Sequence, residues 1–170
     1  NDNSGVIYHS IGVNGAKASD YNKFRLFNEQ LPVLNPDLVI ISLGTNESFD
    51  KQSGEQYFTN LNQMIQGIKE KNPQASVLVM TSPPSVLHRK YKNTFIEKYA
   101  EFIEDNAHVK NYAVWDLLQV FGGNKSINRN AAKGYMARDK VHYSKAGYEK
   151  QGELFFEAFL QSYELFKSTK

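Results

Sequence analysis

Two short apolar runs, with a helical stripe between them, constrain this chain most. Leu38, Val39, Ile40, Ile41, Ser42 and Leu43 form a run with no polar alternation, and Gly44 follows at once. Ser76, Val77, Leu78, Val79, Met80 and Thr81 form a second run, closed by Pro83 and Pro84. Each has the length of a strand, and a strand apolar on both faces must be covered on both sides. Between them, Phe58, Leu61, Met64, Ile65 and Ile68 recur at helical spacing across residues 55–71, and Asn72-Pro73 ends the pattern. Further helices are expected from Ser19 or Asp20 to about Gln30, over residues 94–105, and over residues 145–166. Further strands are expected over residues 5–11 and 112–116. Alternating strands and helices of these lengths predict an α/β fold, three layers in α/β/α order, with a parallel sheet. Residues 1–170 are expected to form one domain.

Composition narrows the chemistry. There is no cysteine, which rules out disulfides, thiolate metal sites and thiol nucleophiles. A formal charge of +2 on 170 residues is not the overall footprint of a nucleic-acid binder, so none is expected as a partner. No apolar run reaches the roughly 20 residues of a membrane span. The four histidines lie far apart without ligand spacing, so no metal site is predicted.

In parallel sheets the reactive groups lie on loops at the carboxyl ends of strands. Gly15, Asn46, the Pro83-Pro84 loop and Asp116 fall at such positions, and a further polar signal lies on a loop leading into the last helix. Gly15 follows the first expected strand, Asn46 follows the run 38–43, and Asp139 with His142 precedes the last helix. An acid three residues before a histidine can hold an imidazole as a base, and an asparagine amide can donate to a developing oxyanion. Taken singly, each has a plainer explanation: turn chemistry for Gly15 and Asn46, a loop acid and a solvated imidazole for the pair. His88 and Arg89, after the run 76–81, are candidates for contact with anionic substrate groups. Asp116 at a strand end suits a structural cap.

Gly12-Val13-Asn14-Gly15, Leu43-Gly44-Thr45-Asn46-Glu47 and Asp139-Lys140-Val141-His142, in that order, resemble the second, third and fifth blocks of the SGNH (GDSL-type) hydrolases. The likeness runs from about Gly5 to Leu160 and resembles most the bacterial cell-envelope members, among them esterases of O-acetylated peptidoglycan. It implies a flavodoxin-like sheet, His142 as general base, Asp139 as its orienting acceptor, and Gly15 N–H and Asn46 as oxyanion donors. It also implies no cofactor, a small-molecule or polysaccharide ester substrate, and a periplasmic or secreted location.

The family's first block, Gly-Asp-Ser, occurs nowhere in the sequence. Ser4, Ser10, Ser42, Ser82 and Ser85 lack its context, so no nucleophile is assigned within the chain. The nucleophile, a first strand of the sheet and the N-terminal part of the same protein are expected upstream, and the 170-residue chain is expected to be inactive alone. The function this implies is a serine esterase removing acyl groups, acetyl first among them, from a carbohydrate or cell-wall substrate. The alternatives are a non-catalytic carbohydrate-binding or scaffolding module with the same fold, and an acyltransferase using the same site.

Overall fold

The computed structural model describes residues 5–169. Three parallel strands form the central sheet: β1 (Leu38–Ser42), β2 (Ser76–Met80) and β5 (Ala113–Trp115), in the order β1-β2-β5. The register pairs Ser42 with Met80 and Met80 with Trp115, which brings the three carboxyl ends level. Helices cover both faces, as the apolar runs require. Val77 and Val79 point to one side, where they meet Leu61, Ile65 and Ile68 of α4 (Gly54–Lys71) and Ile103 of α5 (Thr94–Lys110). Leu78 and Met80 point to the other, where Trp115 meets Phe155 of α8 (Lys145–Ser168), ring centroids 5.0 Å apart. The alternation follows from the period of two along a strand.

Helix starts follow local chemistry. Ser53 caps α4 by accepting from Gln56 N at 3.1 Å, and Gln56 returns a bond to Ser53 N. Ser144 caps α8 by accepting from Gly147 N at 3.1 Å. Asp116 caps the short α6 (Leu117–Val120) and also accepts from Thr81 Oγ1 at 2.7 Å, tying the ends of β2 and β5 together.

The structure corrects several expectations. Residues 5–11 form no strand: Val6, Ile7 and Tyr8 are more than four-fifths exposed, and no ladder partner lies alongside among the described residues. An extended segment flanked by Gly5 and Gly12 has too little to offset its ordering entropy without such a partner. The helix expected up to Gln30 is two, α1 (Ala18–Lys23) and α2 (Arg25–Gln30), broken where Phe24 takes an extended backbone. Helix α5 runs on to Lys110, past the expected residue 105. Short elements add to the expected set without any long periodic signal: α3 (Thr45–Phe49), the hairpin β3 (Val86–Leu87) and β4 (Tyr91–Lys92), and α7 (Ile127–Ala132).

Among the described residues no helix is long and apolar enough to cross a membrane. Strand β1 has a described partner on one edge only, and Ile40 on its α8 side is 39% exposed. Phe156, Phe159 and Phe166 of α8 are at least half exposed as well.

Leu61 is fully buried against the sheet, so Leu61→Ala should lower the unfolding free energy by about 2–5 kcal/mol. Phe159→Ala, at an exposed position, should stay within roughly 0.5 kcal/mol. Urea unfolding of the two variants checks this; equal losses would contradict this core.

Candidate active site

The loop bearing Asp139 and His142 is held from several sides. Met136 and Tyr143 form an isolated antiparallel bridge, and Ala137 N donates to His142 O at 2.9 Å. Tyr143 is buried and stacks on Phe121, centroids 4.7 Å apart, so the residue next to His142 is anchored in the core. Lys140, at the turn, takes a left-handed backbone with φ 54°.

Within this frame Asp139 accepts three hydrogen bonds. Its Oδ1 takes Val141 N at 2.9 Å and His142 N at 3.0 Å, and its Oδ2 lies 2.7 Å from His142 Nδ1. Partial burial works against its charge, but the His142 ring and the two N–H donors prevail and hold the carboxyl down to about 2. At neutral pH the group is therefore acceptor-only, and Nδ1 must be the ring nitrogen that carries hydrogen toward it. That leaves the Nε2 lone pair of a neutral imidazole free. The His142 side chain is 67% exposed, open to an incoming group.

A second cluster forms where the loop before α1 meets the loop after β1. Asn46 Nδ2 donates to Ala16 O at 2.9 Å, which places the amide against the Gly15-Ala16 segment. One of its two N–H groups is thereby used and the other remains. Gly15 takes φ 77°, in the left-handed region. A Cβ there would meet nothing within 4 Å, so backbone conformation, not crowding from within the chain, favours glycine at this position. Beside it lies a groove of about 430 Å³ whose wall includes Tyr21, Phe24 and Phe27.

Glu47 joins the two loops. Its side chain is wholly buried, with Oε1 accepting from Ala18 N at 2.8 Å and Oε2 from Gly44 N at 3.0 Å. Burial pushes its pKa up, against the opposing pull of the Ala18 N–H, its own N–H, the Gly44 N–H and the Lys17 ammonium. Lys17 Nζ, in turn, bonds Asp50 Oδ2. Gly44 is more constrained than Gly15: φ is 118°, and a Cβ would sit 2.5 Å from Ser82 Oγ. Glu47 belongs to the third motif block, yet the motif by itself gives it no role. The signal that points to one is an acid three residues after a helix-entry position.

The two clusters share the carboxyl edge of the sheet and connect through the segment after β2. Ser82 Oγ donates to Leu43 O at 3.3 Å on one side, and Val86 N donates to Lys140 O at 3.2 Å on the other. Among the described residues no hydrogen bond runs directly from His142 to Asn46 or Gly15, and no serine or threonine hydroxyl bonds the His142 ring. Ser82 and Ser85 are buried in structural bonds, the latter to Asn93. Ser42 lies within β1. Ser10 lies in an exposed coil, and Ser4 lies outside the described residues. His88 and Arg89 sit at the turn between β3 and β4, with φ 51° and 60°. Among the described residues no three His, Asp or Glu side chains group as a metal site would need.

The Asp139–His142 pair and the Asn46–Gly15 loops thus flank one end of a parallel α/β sheet. The chain belongs to the GDSL-like lipase/acylhydrolase family, whose model matches residues 2–150. A comparison with curated protein sequences gives no match. Among solved structures it is similar to a peptidoglycan O-acetylesterase, with TM-score 0.78 and 23% identity over 87% of this chain and 44% of that one. It is also similar to a lipase/acylhydrolase from Enterococcus faecalis, with TM-score 0.63 and 24% identity over 85% of this chain and 70% of that one. A third is a catalytic mutant of an acetylxylan esterase from Geobacillus stearothermophilus, with TM-score 0.64 and 20% identity over 84% of this chain and 67% of that one. At these identities the likeness is one of fold. The chain spans less than half the length of the peptidoglycan O-acetylesterase.

Two outcomes test the site's local physics. Glu47→Gln replaces one acceptor by an amide and leaves the Ala18 or Gly44 N–H unsatisfied, which should cost about 1–3 kcal/mol in urea unfolding; no change would show that the carboxylate is not the clamp. For Asp139 the fold lowers the pKa, so its contribution is full above the ordinary 3.8 and vanishes as pH falls to about 2. A carboxyl NMR titration should place its midpoint near the lower value, and His142→Ala should move it upward.

Proposed function

We propose that this domain is part of a serine esterase that removes acyl groups, acetyl foremost, from a carbohydrate or cell-wall substrate in the periplasm or outside the cell. The observation that carries this reading is the 2.7 Å bond from His142 Nδ1 to a carboxylate held ionised, which leaves Nε2 as the free base. In the reaction a serine Oγ attacks the ester carbonyl while His142 Nε2 takes its proton. Negative charge gathers on the carbonyl oxygen, where the Gly15 N–H and the remaining Asn46 N–H donate. His142 then returns the proton to the departing sugar hydroxyl, and water releases the acyl group through the same base. Asp139 keeps the ring oriented and stabilises its charged form. A missing oxyanion donor of this type typically costs ~3 kcal/mol of barrier.

The serine this reading calls for belongs to a Gly-Asp-Ser block, which the 170 residues do not contain. The edge of β1 that has no partner among the described residues, with Ile40 beside it 39% exposed, fits a further strand there. The lack of any hydroxyl bonded to His142 among the described residues fits the same reading. That observation also suits a second one, a carbohydrate-binding module that kept the fold without the chemistry. Transfer of the acyl group to another hydroxyl would use the same residues as hydrolysis. No cofactor enters either route.

The N-terminally extended protein should hydrolyse an aryl acetate, and His142→Ala should reduce kcat/KM by about 10²–10⁴-fold. The 170-residue chain alone should show no turnover. Undiminished hydrolysis in the His142 variant would refute the esterase site; an inactive extended protein that still binds glycan would establish the binding module instead.

A further inference from the structure

Five cations surround one cavity beside the loop of Asp139 and His142. The cavity, about 260 Å³, is lined by Arg89 and Lys90 from the β3–β4 turn, Lys92 from β4, Lys125 from the segment before α7, and Lys140 from between Asp139 and His142. No aspartate or glutamate lines it. Six cations elsewhere on the chain, Lys17, Lys23, Arg25, Lys145, Lys150 and Lys167, lie within 4 Å of a carboxylate. None of the cavity's five forms such a pair among the described residues. Lys140 Nζ bonds a neutral partner, Asn128 Oδ1, at 3.0 Å, and Lys90 sits 5.4 Å from the Tyr91 ring centroid.

The formal charge of the whole chain is only +2. The cavity therefore concentrates like charge that the rest of the chain balances. Gathering unpaired cations in one concave site opposes folding through mutual repulsion, and it focuses a positive field on whatever enters. Two of the five, Arg89 and Lys140, also stand on left-handed backbone, with φ 60° and 54°. The Val86 N–H to Lys140 O bond ties the hairpin to the loop that carries His142. Lys140 stands two positions before His142, so the cavity begins within about 7 Å of chain from the base.

We propose that this cavity is a subsite for anionic groups of the substrate: the ester is carried on a glycan with closely spaced acidic groups, and these dock on Arg89, Lys92, Lys125 and Lys140 while the acylated hydroxyl faces His142. The inference rests on the esterase reading and names its substrate class. It gives Lys140 a role within the motif, and it gives Arg89 a place that the turn alone does not. Carboxylate and phosphodiester glycans share the required chemistry. Attraction at such a site is strongest at low ionic strength and fades as the screening length shrinks.

Titration of the 15N-labelled chain with a short oligogalacturonate, its fully methyl-esterified counterpart, a poly(glycerol phosphate) and a single-stranded oligodeoxynucleotide tests this by direct binding. The acidic glycan should bind at least roughly tenfold more tightly than the neutral one, with shifts centred on residues 86–92, 124–128 and 140. Lys92→Glu with Lys125→Glu should weaken that binding by about tenfold or more, while Lys71→Glu with Lys98→Glu, the same charge change on α4 and α5, should not. Tighter binding of poly(glycerol phosphate) than of oligogalacturonate would support the subsite and assign it to phosphodiesters. Equal binding of the esterified glycan, equal weakening by both variant pairs, or an oligodeoxynucleotide binding as tightly as the glycans would overturn the proposal. Binding is read without turnover, so failure here is distinguishable from failure of the esterase reading, which aryl acetate hydrolysis tests separately.

Discussion

Two loops from distant parts of the chain meet on one buried carboxylate, and the placement of Gly15 and Asn46 depends on that meeting. Glu47 presents two oxygens to two backbone N–H groups, Ala18 at the start of the helix after Gly15 and Gly44 on the loop after β1. At that depth each unsatisfied donor would carry the full cost of desolvation. The carboxylate is itself unfavourably buried, and that penalty is tolerated because no neutral side chain offers two equivalent acceptor oxygens in one plane. With the two loops joined, Asn46 can reach Ala16 O and hold the Gly15 turn at a set height.

The His142 ring is positioned by a different strategy. Asp139 and His142 are only three residues apart, so one tight turn suffices to bring them together, and the turn's own N–H groups fill remaining lone pairs of the acid. The pair faces solvent. Its rigidity comes from Tyr143 below it and from the Val86 to Lys140 bond at its side. A local motif is thus made stiff by long-range contacts, and the same contacts bring the basic hairpin up to the loop.

Much of the central layer was legible because burial on two faces leaves a strong mark on a strand. The runs at β1 and β2 and the stripe of α4 fall within a residue or two of their expected limits. Residues 5–11 mislead for a related reason. Their apolar character matches a strand, but a strand is a partnership, and these residues have no described neighbour to pair with. Phe24 breaks one expected helix in two, and across the break the Tyr21 and Phe27 rings meet edge-on, a contact that no period records. The hairpin at 86–92 and helix α7 are too short for periodicity to register, and they supply much of the basic cavity.

The amino-acid order alone determined the class of fold, the Asp139–His142 pairing and the family, because each rests on short-range spacing or on burial patterns along one element. Convergence was a tertiary matter. That Glu47 bridges two loops, and that five cations from three segments enclose a single cavity, depends on distances between residues up to about fifty positions apart in the chain. Spacing along a chain carries no record of such distances; they arise only when the layers pack.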